Sequence, residues 1–466
     1  MRKNNEMSTL LYCSKLFLLS LVFSEISYAQ TSGPTLKEKE KLIFNGYYRG
    51  RIDSYDGVNK LTYGDAERDA KGNAKGVSND TLYLHQILAG FTYLPAMNWE
   101  IKAYMYDSRS WDSSLQADDF LANKDTADEY GTSYYDDHHE LHETYIRKYN
   151  FLTSGLTFSL GRLNLEYGDR RIFAPGVWGN TIGFFWDAAH FSYAVDKNLI
   201  DVWYGQTRTI APDDFSITEK HVYQGAGIYS HYEKDALKIE PFAAWRNALF
   251  HEVKPYEKAY YAGARTYDES LGFIYDATYI KATGRYGEKD IDAFAYASKA
   301  GYYFDDTYKT HFTLGTVYAS GDTNPNDATK GTFETPFGSK TGPNYGRMDI
   351  MIWSNMRDYQ AMYWMNPTKK LSLKAAFHNF SLAEPTDSWY TFGYKNNPGN
   401  SYTEIGNEYD LTLKYKASNN LSFTVIGTYL DAGDFITKNN IAQNDATKLF
   451  FQFVYKFSSE KEDGER

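Results

Sequence analysis

From Lys41 onward apolar and polar side chains alternate with a period of two, in run after run of roughly ten to fourteen residues. Trp99, Ile101, Ala103 and Met105 alternate with Glu100, Lys102, Tyr104 and Tyr106. Leu237, Ile239, Ala243 and Trp245 alternate with Lys238, Glu240, Ala244 and Arg246. Leu371, Leu373, Ala375 and Phe377 alternate with Ser372, Lys374, Ala376 and His378, and Tyr409, Leu411 and Leu413 with Glu408, Asp410, Thr412 and Lys414. This period belongs to strands with one apolar face. A soluble sandwich or solenoid hides that face in a core, whereas a transmembrane barrel turns it to lipid and keeps the polar face on its lumen.

The connections separate the two. The runs span approximately 41–52, 80–93, 97–108, 139–150, 154–166, 183–195, 198–210, 220–233 and 236–248. Further runs cover 259–267, 271–284, 289–304, 308–320, 356–366, 369–381, 403–416, 419–431 and 446–458. In one phase the joins are tight: Leu94-Pro95-Ala96, Asp196-Lys197, Asp305-Asp306-Thr307, Asn366-Pro367-Thr368 and Ala417-Ser418. In the other they are mostly long, as in Asp53–Asn79, Arg109–His138 and Gly321–Asn355. A sandwich has no reason to sort its loops by length. An all-β transmembrane antiparallel barrel of about eighteen strands, with short periplasmic turns and long extracellular loops, does so by construction.

Composition agrees. The chain carries 43 Tyr, 29 Phe and 9 Trp, many of them near strand ends, where amphipathic rings settle at the headgroup level of a membrane. Its one notable apolar run, Leu16–Phe23, is too short for a spanning helix. With Arg2, Lys3 and Lys15 around it and Ser27-Tyr28-Ala29 before Gln30, it reads as a secretory leader. The chain then divides into a leader (1–29), a periplasmic N-terminal segment (30–40), the barrel (41–458) and a polar tail (459–466). The single cysteine, Cys13, falls in the leader, so the exported portion uses no disulfide. A formal charge of -11 without a basic tract argues against nucleic acid as a partner. The leader and this fold together place the chain in the outer membrane of a Gram-negative bacterium, in contact with outer-membrane lipid and lipopolysaccharide.

Four stretches carry a family resemblance. Gly161-Arg162-Leu163-Asn164-Leu165-Glu166-Tyr167-Gly168-Asp169-Arg170-Arg171, then Trp178, Asn180 and Phe185-Trp186-Asp187-Ala188, resembles the alginate export family of outer-membrane barrels. Ser320-Gly321-Asp322-Thr323-Asn324-Pro325-Asn326-Asp327, with Phe333, Pro336 and Tyr345-Gly346, is similar to a loop of that family. Ile405-Gly406-Asn407-Glu408-Tyr409-Asp410-Leu411 and Ala432-Gly433-Asp434-Phe435 are similar to its late strand and final loop. Leu163 stands where the family usually has Gln, and Trp186 interrupts its Phe-Asp step. The resemblance implies an eighteen-stranded porin with a basic constriction, together with periplasmic export partners.

Alternation sends Arg49, Arg51, Lys102, Lys238, Arg246, Lys374 and Lys414 to the lumen with Glu100, Glu240, Glu408 and Asp410, since a charge facing mid-bilayer lipid costs about 2–4 kcal/mol. Arg162, Asp169, Arg170, Arg171 and Asp187 complete the candidate pore lining, arginine forks being suited to carboxylates. The parity of Leu156, Phe158 and Leu160 puts Arg162 on the lipid side unless a bulge intervenes. The expectation is a porin passing anionic saccharides or other small anions by passive diffusion. A general diffusion or nutrient-uptake porin is the alternative, with a barrel hydrolase behind it. No nucleophile elbow, P-loop or dinucleotide fingerprint points to an enzyme, and no cofactor is expected. Asp136-Asp137-His138-His139-Glu140-Leu141-His142-Glu143 is rich in metal-ligand types but lacks zincin spacing. Asp322, Asn324, Asn326 and Asp327 form a weak calcium-loop candidate without the glycine and glutamate such a loop needs.

Overall fold

The computed structural model describes residues 40–64, 78–115, 135–174, 180, 181, 185–208, 215, 221–234, 237–248, 256–270, 272–337 and 344–460. The segment expected to be a leader, with Ser27-Tyr28-Ala29, nearly all of the expected periplasmic segment 30–40, Trp178 and the end of the polar tail lie outside the described residues. The wall begins with β1 (Lys41–Asp56), β2 (Asp80–Leu94), β3 (Trp99–Trp111), β4 (Asp137–Lys148), β5 (Leu156–Leu163) and β6 (Trp186–Val195). It continues with β7 (Asn198–Arg208), β8 (His221–Lys234), β9 (Leu237–Ala248), β10 (Glu257–Ser270), β11 (Phe273–Tyr286) and β12 (Lys289–Tyr303). It ends with β13 (His311–Ala319), β14 (Met356–Thr368), β15 (Leu371–Ser381), β16 (Glu404–Lys416), β17 (Leu421–Ala432) and β18 (Ala446–Ser458). These eighteen strands pair antiparallel in chain order, and β1 closes the barrel on β18 from Asn45↔Ser458 to Asp56↔Thr447. Closure leaves no edge, so backbone groups at membrane depth find partners within the wall. A two-residue segment, Thr329–Lys330, adds a short parallel ladder to the extracellular end of β12.

Each strand covers one of the runs marked by alternation, with ends shifted by a few residues. One turn moves. β14 continues through Asn366-Pro367-Thr368, with a register shift between Met365 and Thr368, so the reversal falls at Lys369-Lys370. That irregularity accommodates a proline that has no N–H to give the ladder.

The two faces differ as the alternation requires. On β1, Phe44, Tyr48 and Ile52 are exposed outward, while Arg49, Arg51, Asp53 and Tyr55 are buried inward. On β16, Tyr409, Leu411 and Tyr415 face out, while Glu408 and Asp410 are buried. Inward burial is strongest toward the extracellular half, where loops fill the lumen.

Candidate functional site

Two connections enter the barrel with their described residues, 164–174, 180, 181 and 185 after β5 and 320–337 and 344–355 after β13. The first carries the Tyr-Gly-Asp-Arg-Arg stretch. Gly168 (φ 60°) and Arg170 (φ 70°) take left-handed backbone there, and Tyr167 bridges to Phe173 across the resulting turn. Tyr167 stacks on Trp203 and on Tyr229 (centroids 5.3 and 4.6 Å apart), and Tyr229 stacks in turn on Phe242. Phe173, Trp186 and Phe337 complete a dry aromatic packing inside β6–β9.

The two loops are sewn together. Phe173 pairs with Phe337, Phe337 N donates to Ile172 O (3.2 Å), Thr335 Oγ1 to Arg171 O (2.8 Å), and Asn344 Nδ2 to Asp169 O (3.2 Å). Asn180 ties the first loop to β1–β3: its carbonyl accepts from Gln86 Nε2 (2.6 Å) and Ser108 Oγ (2.7 Å), and its amide donates to Tyr135 O (2.6 Å). The second loop is held by β16 and β18. Arg347 N donates to Glu408 Oε1 (2.6 Å) and Asp410 Oδ2 (3.1 Å), Met348 N to Glu408 Oε1 (2.9 Å), and Lys448 pairs with Asp349 (2.8 Å). Gly346 (φ 86°) lies so close to Glu408 that a Cβ would collide with the carboxylate. Burial alone would raise the Asp349 carboxyl, but Lys448 and Lys60 hold it down at about 2. Asp169 is likewise depressed, burial being outweighed by Arg171 and Arg265.

Several candidate pore residues are thereby sealed. Arg246 is buried between Glu257 (2.5 Å) and the loop carbonyls of Thr335 (2.9 Å) and Pro336 (3.1 Å). Arg171 pairs with Asp169 (2.6 Å) and lies over Tyr345 and Trp353. Arg49 reaches Asn180 O (3.5 Å), and Arg51 lies beside Asp53 and over Phe450. Arg162 is buried too, bidentate to Asp187 (2.8 and 2.9 Å) with its third nitrogen on Glu140 (2.8 Å). Gly161 at φ 133° and register shifts on β4 opposite Ala103/Met105 and Tyr106/Ser108 interrupt the regular pleat around it. Arg170 is more open and pairs with Glu166.

Within the histidine-rich run, Glu143 binds Lys102 (2.7 Å), His142 packs on Phe185, and His139 lies beside Asp107 (3.3 Å). Oxygens of Asp322, Asn324 and Asp327 accept from the backbone amides of Asn324 (3.1 Å), Asn326 (3.3 Å) and Thr329 (2.7 Å), a run of Asx turns.

Toward the short-turn end the lumen wall reverses this pattern in the pairs of Lys299, Lys238, Arg147 and Arg265, where the cation is the more open member, while at the turn itself Asp305 is more open than Lys309. Lys299 is 40% exposed against 9% for its partner Asp276 (3.4 Å), and Lys238 is 28% against 11% for Asp268 (2.9 Å). Arg147 is likewise more open than Glu100, and Arg265 than Glu240 and Asp276, which it binds at 2.8 and 2.9 Å. Glu240 is turned to the wall, bound also by Tyr229 (2.6 Å) and His231 (3.1 Å). Lys374 lies in the electrostatic range of Arg347, Lys299 and Asp410, and Lys414 is exposed near the turn. Arg147, Arg265, Lys299 and Arg347 were not singled out by alternation, although Arg265 and Lys299 lie on the inward parity of β10 and β12.

A family model described as alginate export matches residues 60–450. Among solved structures the chain is similar to OprD from Pseudomonas aeruginosa, an outer membrane protein, at 13% identity and a TM-score of 0.57, over 93% of this chain and 98% of that one. It is similar also to OccAB1 from Acinetobacter baumannii, at 10% identity and a TM-score of 0.59, over 92% of this chain and 99% of that one. No curated protein matches the chain.

Proposed function

The chain belongs to the alginate export family, its barrel is of the outer-membrane type, and on that premise we propose that it passes anionic saccharides or other small anions by passive diffusion. One observation carries the sign of the charge. In the pairs of Arg147, Lys238, Arg265 and Lys299, on the periplasmic half of the lumen wall, the cation is more open than its acid. A solute meets Lys238, Arg265 and Lys299 before it meets their counter-charges, and Lys414 stands exposed near the turn. Such a surface raises the local anion concentration, and each contact is weakened by its own acid, so the solute can leave. Solvent-exposed cations along the wall suit a channel rather than an enzyme, and the leader would bring the chain to the export machinery.

Reversal potentials in planar bilayers under a KCl gradient test this reading. Chloride preference at low salt that shrinks at high salt is the expected result. A cation-selective channel would overturn the anion reading and leave a general diffusion porin. Liposome swelling with neutral, anionic and cationic sugars of equal size would then report which solutes pass.

A further inference from the structure

Five neighbouring strands, β10 to β14, carry a continuous belt of rings on their outward face. Tyr260, Tyr279, Tyr296 and Tyr359 are all exposed there. Phe294 stacks on Tyr279 (6.4 Å) and on Tyr318 (5.4 Å), and Tyr318 on Tyr296 (5.2 Å). Three of these strands place a cation at the next outward position toward the long-loop end. Lys258 precedes Tyr260 by two residues, Lys281 follows Tyr279 by two, and Arg357 precedes Tyr359 by two. Two residues along a strand are about 7 Å, one step on the same face. Lys258 lies over the Tyr260 ring (5.9 Å), Lys281 over Phe294 (6.0 Å) and Arg357 over Tyr318 (5.9 Å). Beside Lys258, Arg285 occupies the directly paired position on β11.

We propose that this collar binds the phosphate-bearing headgroup of an outer-leaflet glycolipid, a site on the outer wall that is independent of what the lumen passes. Aromatic girdles settle at the level where hydrocarbon meets headgroups. Cations one step above that level stand where lipid phosphates stand, and their apolar stems lie on the rings below. Glu288, exposed at the β11–β12 turn, and Glu384, within electrostatic reach of Tyr318, border the patch, and its central acids are Asp292, paired with Lys281, and Asp290, 3.3 Å from Arg285. Both central acids are highly exposed, at 66% and 71%, and pairs of that kind hold their partners weakly, so a phosphate with more than one oxygen competes well. Four cations thus gather on one stretch of the outer wall, although the chain as a whole is at -11.

The test uses the folded full-length barrel in phosphatidylcholine nanodiscs, with bisphosphorylated lipid A or its dephosphorylated form titrated in and bound lipid read by native mass spectrometry. Wild type should retain the bisphosphorylated lipid in preference. Affinity should fall about fivefold for each cation removed across Lys258→Gln, Lys281→Gln and Arg357→Gln, the factor equivalent to ~1 kcal/mol per basic residue at an anionic surface. Lys281→Arg should keep binding, and Lys299→Gln on the inward face should leave it unchanged. Equal retention of dephosphorylated lipid, or of either lipid by the triple variant, would overturn the site. Displacement of the lipid by millimolar inorganic phosphate would show a simple anion site and overturn the headgroup assignment. If the triple variant does not insert, Lys281→Gln against Lys281→Arg decides the same question.

Discussion

Arg246 on β9 and Lys299 on β12 both point into the lumen and both are paired to an acid, yet their surroundings are opposite. Arg246 lies at the level of the inserted loops, 3% exposed, and spends its remaining N–H groups on the carbonyls of Thr335 and Pro336. Lys299 lies nearer the short turns, open on the side away from Asp276. The same residue type therefore serves as a rivet in one half and as a pore charge in the other. What decides between them is whether a loop lies across it, and the cation-to-acid exposure order reports which case holds. Motif-bearing Arg162 and Arg171 fall with Arg246. The charges a solute meets come from strands with no motif at all.

The largest difference should appear in stability. Arg246→Ala leaves Glu257 buried without its partner and strips the hydrogen bonds holding 334–336, a change expected to cost about 3–5 kcal/mol. Lys299→Ala, at an open pair, should cost less than about 1 kcal/mol. Thermal unfolding of the two variants in detergent, followed by gel mobility, measures both. Similar losses would mean that the loops do not seal Arg246.

Selectivity should sort the residues in reverse. Lys299→Gln combined with Arg265→Gln uncovers Asp276 and Glu240 and should abolish chloride preference in the bilayer recordings. Arg171→Gln changes a guanidinium that is covered by Tyr345 and Trp353, so the reversal potential should stay near that of wild type. If Arg171→Gln shifted the potential more than the double variant, the constriction would lie at the motif loop after all.

How far the sequence reaches differs between wall and lumen. A two-residue period is local, so each of the eighteen strands was legible, as was the lumen-facing parity of Arg49, Glu240 and Glu408. Arg162 was not placeable, because φ 133° at Gly161 and the shifts on β4 break the pleat, and neither leaves a pattern in side-chain polarity. Loop insertion was illegible for a different reason. Thr335 meets Arg171 across 164 residues of chain, and Asn344 meets Asp169 across 175. Nothing in either segment alone announces the other. Alternation therefore names the inward cations without saying which of them a loop will cover.

A pH titration gives a smaller effect with a definite sign. The folded carboxyls of Asp349 and Asp169 sit below their unfolded values, so their contribution to holding the loops is complete above the usual carboxylate range near 4 and is lost as pH falls through about 2. Single-channel conductance should then be steady, as far as these two groups set it, from pH 8 to pH 5. It should rise only in strong acid, as Lys448 and Arg171 lose their partners. A stepwise opening between pH 7 and 6 would assign the latch to other groups.

The smallest expected change belongs to Lys414, which stands exposed on the lumen face close to the 417–420 turn, at the periplasmic mouth. A charge there contributes to the field that gathers anions but touches none of them at a narrow point. Its reach is the Debye length, about 10 Å at 0.1 M salt and about 3 Å at 1 M. Lys414→Gln should therefore lower chloride preference slightly in dilute KCl and be indistinguishable from wild type at 1 M. Lys299→Gln should keep a measurable part of its effect at the higher salt, because it also leaves the covered Asp276 without its partner at 3.4 Å, and a covered charge is screened less. The two salt dependences locate the narrow point without any appeal to the motif. A Lys414 effect that persisted at 1 M would move the constriction to the periplasmic mouth.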